Sequence, residues 1–141
     1  MQFRVYPYDY DNYKLETNVL KSATDIASVY IPWIDSFMDI EEYPNIKKIH
    51  IFTLIDYKDD LKSFENDSRF KIYYIDEYDR DPFKDCDVKF DYIYLATLEN
   101  ATFLNMKILN DALNHLKDEN SIVVKADAED AVIIKMAKKS K

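Results

Sequence analysis

The 141-residue chain contains no glycine, where ordinary composition supplies about 7%. No P-loop or dinucleotide-binding fingerprint can therefore be present, because both use glycines to bring backbone N–H groups against phosphate. Every backbone site needing a positive φ must instead be served by Asn, Asp or a strained residue, and Asn66 and Asn120 stand where helix-ending glycines are expected. Cysteine is almost as scarce. Cys86 alone excludes an intramolecular disulfide and a Cys-rich zinc module, and it fits a reducing compartment. Flanked by Asp85 and Asp87, its thiolate is disfavoured, so it is not read as a nucleophile. The two histidines, His50 and His115, show no metal-ligand spacing. His50 is expected as a satisfied strand residue and His115 as a solvated residue on the polar side of a helix. No apolar run reaches the roughly 18 residues of a membrane span, and Met1-Gln2-Phe3-Arg4 lacks the regions of a signal peptide. The expectation is a cytoplasmic chain that binds no membrane.

Basic residues are also outnumbered, 19 against 27 acidic, for a formal charge of -8. Nucleic-acid affinity depends on lysines and arginines displacing counterions, so direct nucleic-acid binding is disfavoured. Lys135, Lys138, Lys139 and Lys141 read as a solvated end. The acids are spread along the chain: residues 1–45 hold eight against three basic, and residues 56–91 hold twelve against seven.

What is present suffices for a core, since 48% of residues are hydrophobic and a chain of this length buries roughly two thirds of its unfolded surface. Phe3 to Tyr10 alternates as an edge strand or extended arm, Pro7 forbidding a central position, with Tyr6, Tyr8 and Tyr10 on one face. Between Asn18 and Ile40, Ile26, Tyr30, Trp33, Ile34 and Phe37 fall at helical spacing, so a helical segment is expected there, kinked or restarted at Pro32. Ile46 to Ile55 reads as a buried strand, Asp59 to Glu65 as a short helix, and Phe70 to Ile75 as a second strand. An acidic connection runs from Asp76 to Asp87, and Phe90 to Ala96 is a third strand. Asn100 to Lys117 carries Leu109, Ala112, Leu113 and Leu116 at helical spacing, with Asn100 or Thr102 as cap, and Ser121 to Ala126 is a fourth strand. Ala131 to Met136 is left open as strand or helix.

Strands separated by helical segments imply parallel pairing with helices over the sheet. The expectation is one α/β domain over 1–141: an N-terminal arm and helix (1–45), a three-layer, mostly parallel, Rossmann-like core (46–127) and a tail (128–141). Ligands of such sheets bind beyond the carboxyl ends of the strands. Those ends carry Asp56, Asp76, Glu99 and Asp127, the candidate cofactor-binding residues, suited to ribose hydroxyls, a divalent cation or a cationic group. No catalytic or metal-ligating constellation stands out.

The segment from Ile46 to Asp127 resembles a degenerate class I methyltransferase of the kind that uses S-adenosylmethionine. Ile49 to Ile55, Asp59 to Glu65 and Phe70 to Asp76 are similar to the strand, helix and acid-ended strand that hold the nucleoside. Phe90-Asp91-Tyr92-Ile93-Tyr94-Leu95 resembles the fourth strand, and Leu109 to Val124 the following helix and fifth strand. The resemblance implies a ribose-holding role for Asp76 and S-adenosylmethionine as cofactor.

Three functions are compatible with this reading. The favoured one is a non-catalytic Rossmann-like module, without cofactor, that binds a protein partner or itself through 12 tyrosines, 8 phenylalanines and an acidic surface. The alternatives are an S-adenosylmethionine-dependent methyltransferase-like enzyme and a small acidic inhibitor of a nucleic-acid-binding protein.

Overall fold

The computed structural model describes residues 3–32, 42–76, 81–84, 86–96, 102–126 and 131–136. Among these residues seven strands form one sheet: β1 (Phe3–Pro7), β2 (Asp25–Tyr30), β3 (Lys48–Leu54), β4 (Phe70–Ile75), β5 (Tyr92–Ala96), β6 (Ile122–Ala126) and β7 (Ala131–Met136). Helix α1 (Tyr13–Ser22) precedes β2, and α2 (Thr102–Asn114) joins β5 to β6. The spatial order is β1-β7-β6-β5-β2-β3-β4. Strands β4, β3, β2, β5 and β6 are parallel, whereas β7 runs antiparallel to both β6 and β1.

Burial explains the order. β2 and β3 are buried almost throughout, as central parallel strands covered on both faces must be. β1 and β4, at the two edges, are largely exposed or half-buried. Pro7 closes β1 opposite Val132, on an edge where a missing N–H is tolerated.

Each face has its own core. On one, Leu20 of α1 and Leu61 pack over Ile26, Ile49, Ile51, Tyr92, Ile122 and Ile133. On the other, Ile108, Ala112 and Leu113 of α2 join Phe83 and Phe90 over Val29, Phe52, Ile93, Leu95 and Val123. Two helical layers thus enclose the sheet, and among the described residues no helix is long and apolar enough to cross a membrane.

Several sequence expectations are corrected. The domain begins with a strand, not a helix, and the edge strand read at Phe3–Tyr10 is β1. Within the helical pattern of 18–40, residues 25–30 form β2, an interior strand of the sheet. Ile26 and Tyr30 fit a four-residue helical step and a two-residue strand alternation equally well, and the second won because sheet neighbours cover the segment on both sides. Trp33, Ile34 and Phe37 lie outside the described residues. The helix expected over Asp59–Glu65 is a pair of 3-10 turns, Ile55–Tyr57 and Lys62–Phe64. The tail left open is strand β7, and pairing with it is antiparallel. Asn66 and Asn120 do not supply positive φ; among the described residues Tyr30 does, at 70°.

Candidate functional site

The strand order contains one reversal in the direction of travel. From β2 the chain moves outward to β3 and β4, and from β5 it moves the opposite way to β6. The carboxyl ends of β2 and β5, which are neighbours, therefore flank the switch point at which open α/β sheets bind ligands.

At this mouth β2 ends in Tyr30, followed by Ile31 and Pro32. The Ile31 N–H donates to the Ala96 carbonyl at 3.4 Å, joining the ends of β2 and β5. The Tyr30 carbonyl accepts a 2.6 Å hydrogen bond from Thr53 Oγ1, joining β2 to β3. Beside it β3 gives way to the turn Ile55–Tyr57, which leaves Ile55 59% exposed next to the exposed Asp56.

The structure brings two of the four candidate acids to one edge. Asp56 follows β3 and Asp76 follows β4, on paired strands whose last matched residues are Leu54 and Ile75, and both are exposed. Glu99 and Asp127 lie outside the described residues. The sequence reading missed β2, and with it Tyr30 and Ile31. The available signal was the short, β-branched and aromatic run Asp25-Ile26-Ala27-Ser28-Val29-Tyr30, bounded by the polar Thr24.

The opposite edge is braced differently. Asp91 Oδ2 accepts from the Thr24 amide at 2.8 Å, the Asp25 amide at 3.2 Å and Lys117 Nζ at 2.9 Å. Burial would raise the Asp91 carboxyl, but these donors together outweigh it and hold the group below its ordinary value. The brace ties together the amino ends of β2, β5 and β6. An open cleft of about 440 Å³ lies beside it, between Leu15, Asn18 and Val19 of α1 and Asp91, Asp118, Asn120 and Lys135. It is at the far end of the strands from the switch point.

Both histidines stack on aromatic rings. His50 is buried, its ring stacked on Phe52 and Tyr73 and edge-on to Phe90, and burial followed by the Lys71 charge lowers its pKa. Its Nδ1 has no hydrogen-bond partner among the described residues, so the expected satisfaction is not seen there. His115 is half-buried rather than solvated: it stacks on Phe83, and its ring nitrogens lie 2.7 Å from the Asp111 carbonyl and 3.2 Å from that of Cys86.

No protein-family profile and no curated protein sequence matches this chain. Solved structures do. An O-methyltransferase family protein from Burkholderia thailandensis superposes with a TM-score of 0.63 at 8% identity, over 93% of this chain and 57% of that one. The N-methyltransferase NodS from Bradyrhizobium japonicum gives 0.58 at 8% identity, over 89% and 92%. Human N-acetylserotonin methyltransferase, in complex with S-adenosylmethionine, gives 0.53 at 16% identity, over 81% and 33%. This chain thus spans little more than half the first relative and a third of the last. The fold is the Rossmann-like fold of class I S-adenosylmethionine-dependent methyltransferases. These neighbours overturn the favoured expectation of a non-catalytic partner-binding module and back the methyltransferase-like alternative.

Proposed function

We propose that this chain binds S-adenosylmethionine at the carboxyl edge of its sheet and acts as a methyltransferase-like protein. The observation that carries the proposal is the strand order, which opens a switch point between β2 and β5 and sets Asp56 directly after the next strand outward. With β2 as the first strand of the nucleoside-binding half, the second is β3. The ribose role that the resemblance attached to Asp76 passes to Asp56.

The residues at this edge suit such a ligand. A carboxylate at Asp56 accepts hydrogen bonds from ribose hydroxyls, and the exposed Ile55 beside it offers an apolar surface to a purine ring. The exposed Asp76, after the neighbouring strand β4, adds a second negative charge at this edge, which favours a ligand carrying a sulfonium and an ammonium group. The bound cofactor supplies an electrophilic methyl group. The acidic balance of the chain favours an acceptor without a phosphate backbone.

Titration calorimetry with S-adenosylmethionine tests the reading. The unaltered chain is expected to bind saturably, and Asp56→Asn to bind about tenfold more weakly, the scale of a lost charge-assisted hydrogen bond. No heat from the unaltered chain at millimolar ligand would remove the proposal.

A further inference from the structure

Alternation along the paired strands β3 and β4 puts His50 and Phe52 on the α2 face beside their partners Lys71 and Tyr73. β4 is an edge strand, paired on one side only, and its packing on this face rests on Tyr73 and Ile75. The Tyr73 ring stacks on Phe52 at 4.7 Å and on His50 at 6.1 Å. Lys71 Nζ lies 5.2 Å from the centre of the same ring.

His50 is thus a base enclosed by rings, with the Phe90 ring edge-on at 5.3 Å and Nδ1 buried without a partner among the described residues. An imidazolium carries two N–H donors that need acceptors, and a donor at Nδ1 would point into apolar packing. The charges nearby oppose the proton as well. Lys71 is the direct strand partner from β4, Lys48 adds a positive charge from β3, and the partner from β2 is the uncharged Ala27. Asp25 of β2 favours the proton, but its carboxylate already accepts from Thr24 Oγ1 at 2.8 Å and Lys117 Nζ at 3.5 Å. On the covering side stand Phe83 and Phe90, with Cys86 packed on the same core and His115 stacked on Phe83. Burial first, and then Lys71, lower the His50 pKa. The unfolded chain takes this proton near the ordinary value of 6.5 and the folded chain only below it. The stability that neutral His50 contributes is therefore complete above that value and is lost as the pH falls below it.

We propose that His50 is an acid-sensitive latch for the edge strand: neutral, it completes the stack that seats Tyr73, and protonated, it sets a second cation against Lys71 and loosens β4 from β3. Like charges directly opposite one another in paired strands repel, and β4 has no neighbour on its outer side to hold it. The latch stands independently of the proposed ligand.

The test is amide hydrogen exchange at about pH 7.5 and about pH 5, corrected for the intrinsic pH dependence of exchange, on the unaltered chain, His50→Phe and Lys71→Met. Phenylalanine keeps the stack and takes no proton; methionine keeps an unbranched side chain at 71 and removes its charge. On acidification of the unaltered chain, protection of the β4 amides is expected to fall at least about threefold further than that of the β6 amides. His50→Phe is expected to abolish this excess and Lys71→Met to reduce it. An equal fall in both strands, or an excess that persists undiminished in either folded variant, would overturn the proposal. If His50→Phe fails to fold, Lys71→Met, altered at an exposed position, decides alone.

Discussion

Glu16 shows how one side chain can fix a helix to a sheet. It is 6% exposed on α1, where a carboxylate is costly unless hydrogen-bonded, and both its oxygens are served at 2.6 Å, Oε1 by the Tyr8 hydroxyl and Oε2 by that of Tyr92. Burial, and then the neighbouring carboxylate, push the ionisation of both tyrosines above the ordinary range. Tyr92→Phe strands a buried carboxylate oxygen and is expected to cost about 1–3 kcal/mol, measured by urea unfolding. A change within error would show that Glu16 relaxes toward water instead. Little of this was legible in the chain. Glu16 looks like any acid in a first helical turn, and the three N-terminal tyrosines, read as sharing one face, divide. Tyr6 and Tyr8 pack on the α1-face core, while Tyr10 is 86% exposed and meets only the Tyr13 ring among the described aromatic pairs.

At the scale of elements, apolar and β-branched runs that no flanking helical spacing continues were read correctly: Lys48–Leu54, Phe70–Ile75, Tyr92–Ala96 and Ile122–Ala126 are all strands. Asp25–Tyr30 was not, because Ile26 and Tyr30 continue into Trp33, Ile34 and Phe37 at helical spacing and only the sheet around the strand decides between the two periods. Missing that strand displaced the assignment of the next two, β3 and β4, and the ribose role with it. The connection after β3 was read as a helix from Leu61 and Phe64. Both do pack on the core, but the backbone between Ile55 and Phe64 achieves this with two 3-10 turns. Leu61 is fully buried and anchors the segment that presents Asp56. Leu61→Ala is expected to destabilise the fold by about 2–5 kcal/mol, read by chemical denaturation, and to weaken ligand binding by loosening that turn. A loss under about 1 kcal/mol would show that the segment docks without it.

For the whole molecule, the two ends of the sheet divide the work. The amino end is braced by Asp91, Lys117 and the Thr24 and Asp25 amides, with the Lys117 ammonium 2.9 Å from Asp91 and 3.5 Å from Asp25. The carboxyl end carries the switch point, the strained Tyr30 and the exposed Asp56 and Asp76. Rigid pairing at one end and irregular backbone at the other is the usual distribution of scaffold and site. The sequence showed the acids at strand ends but not which strands flank the crevice, since strand order depends on contacts between residues far apart in the chain.

The most direct test is amide shift mapping of the isotope-labelled chain on addition of S-adenosylhomocysteine. Saturable shifts at Tyr30, Ile31, Asp56 and Ala96, with Asp91, Asp118 and Lys135 unmoved, are the expected result. Shifts confined to the amino-end cleft, or none at all, would contradict a ligand site at the carboxyl edge.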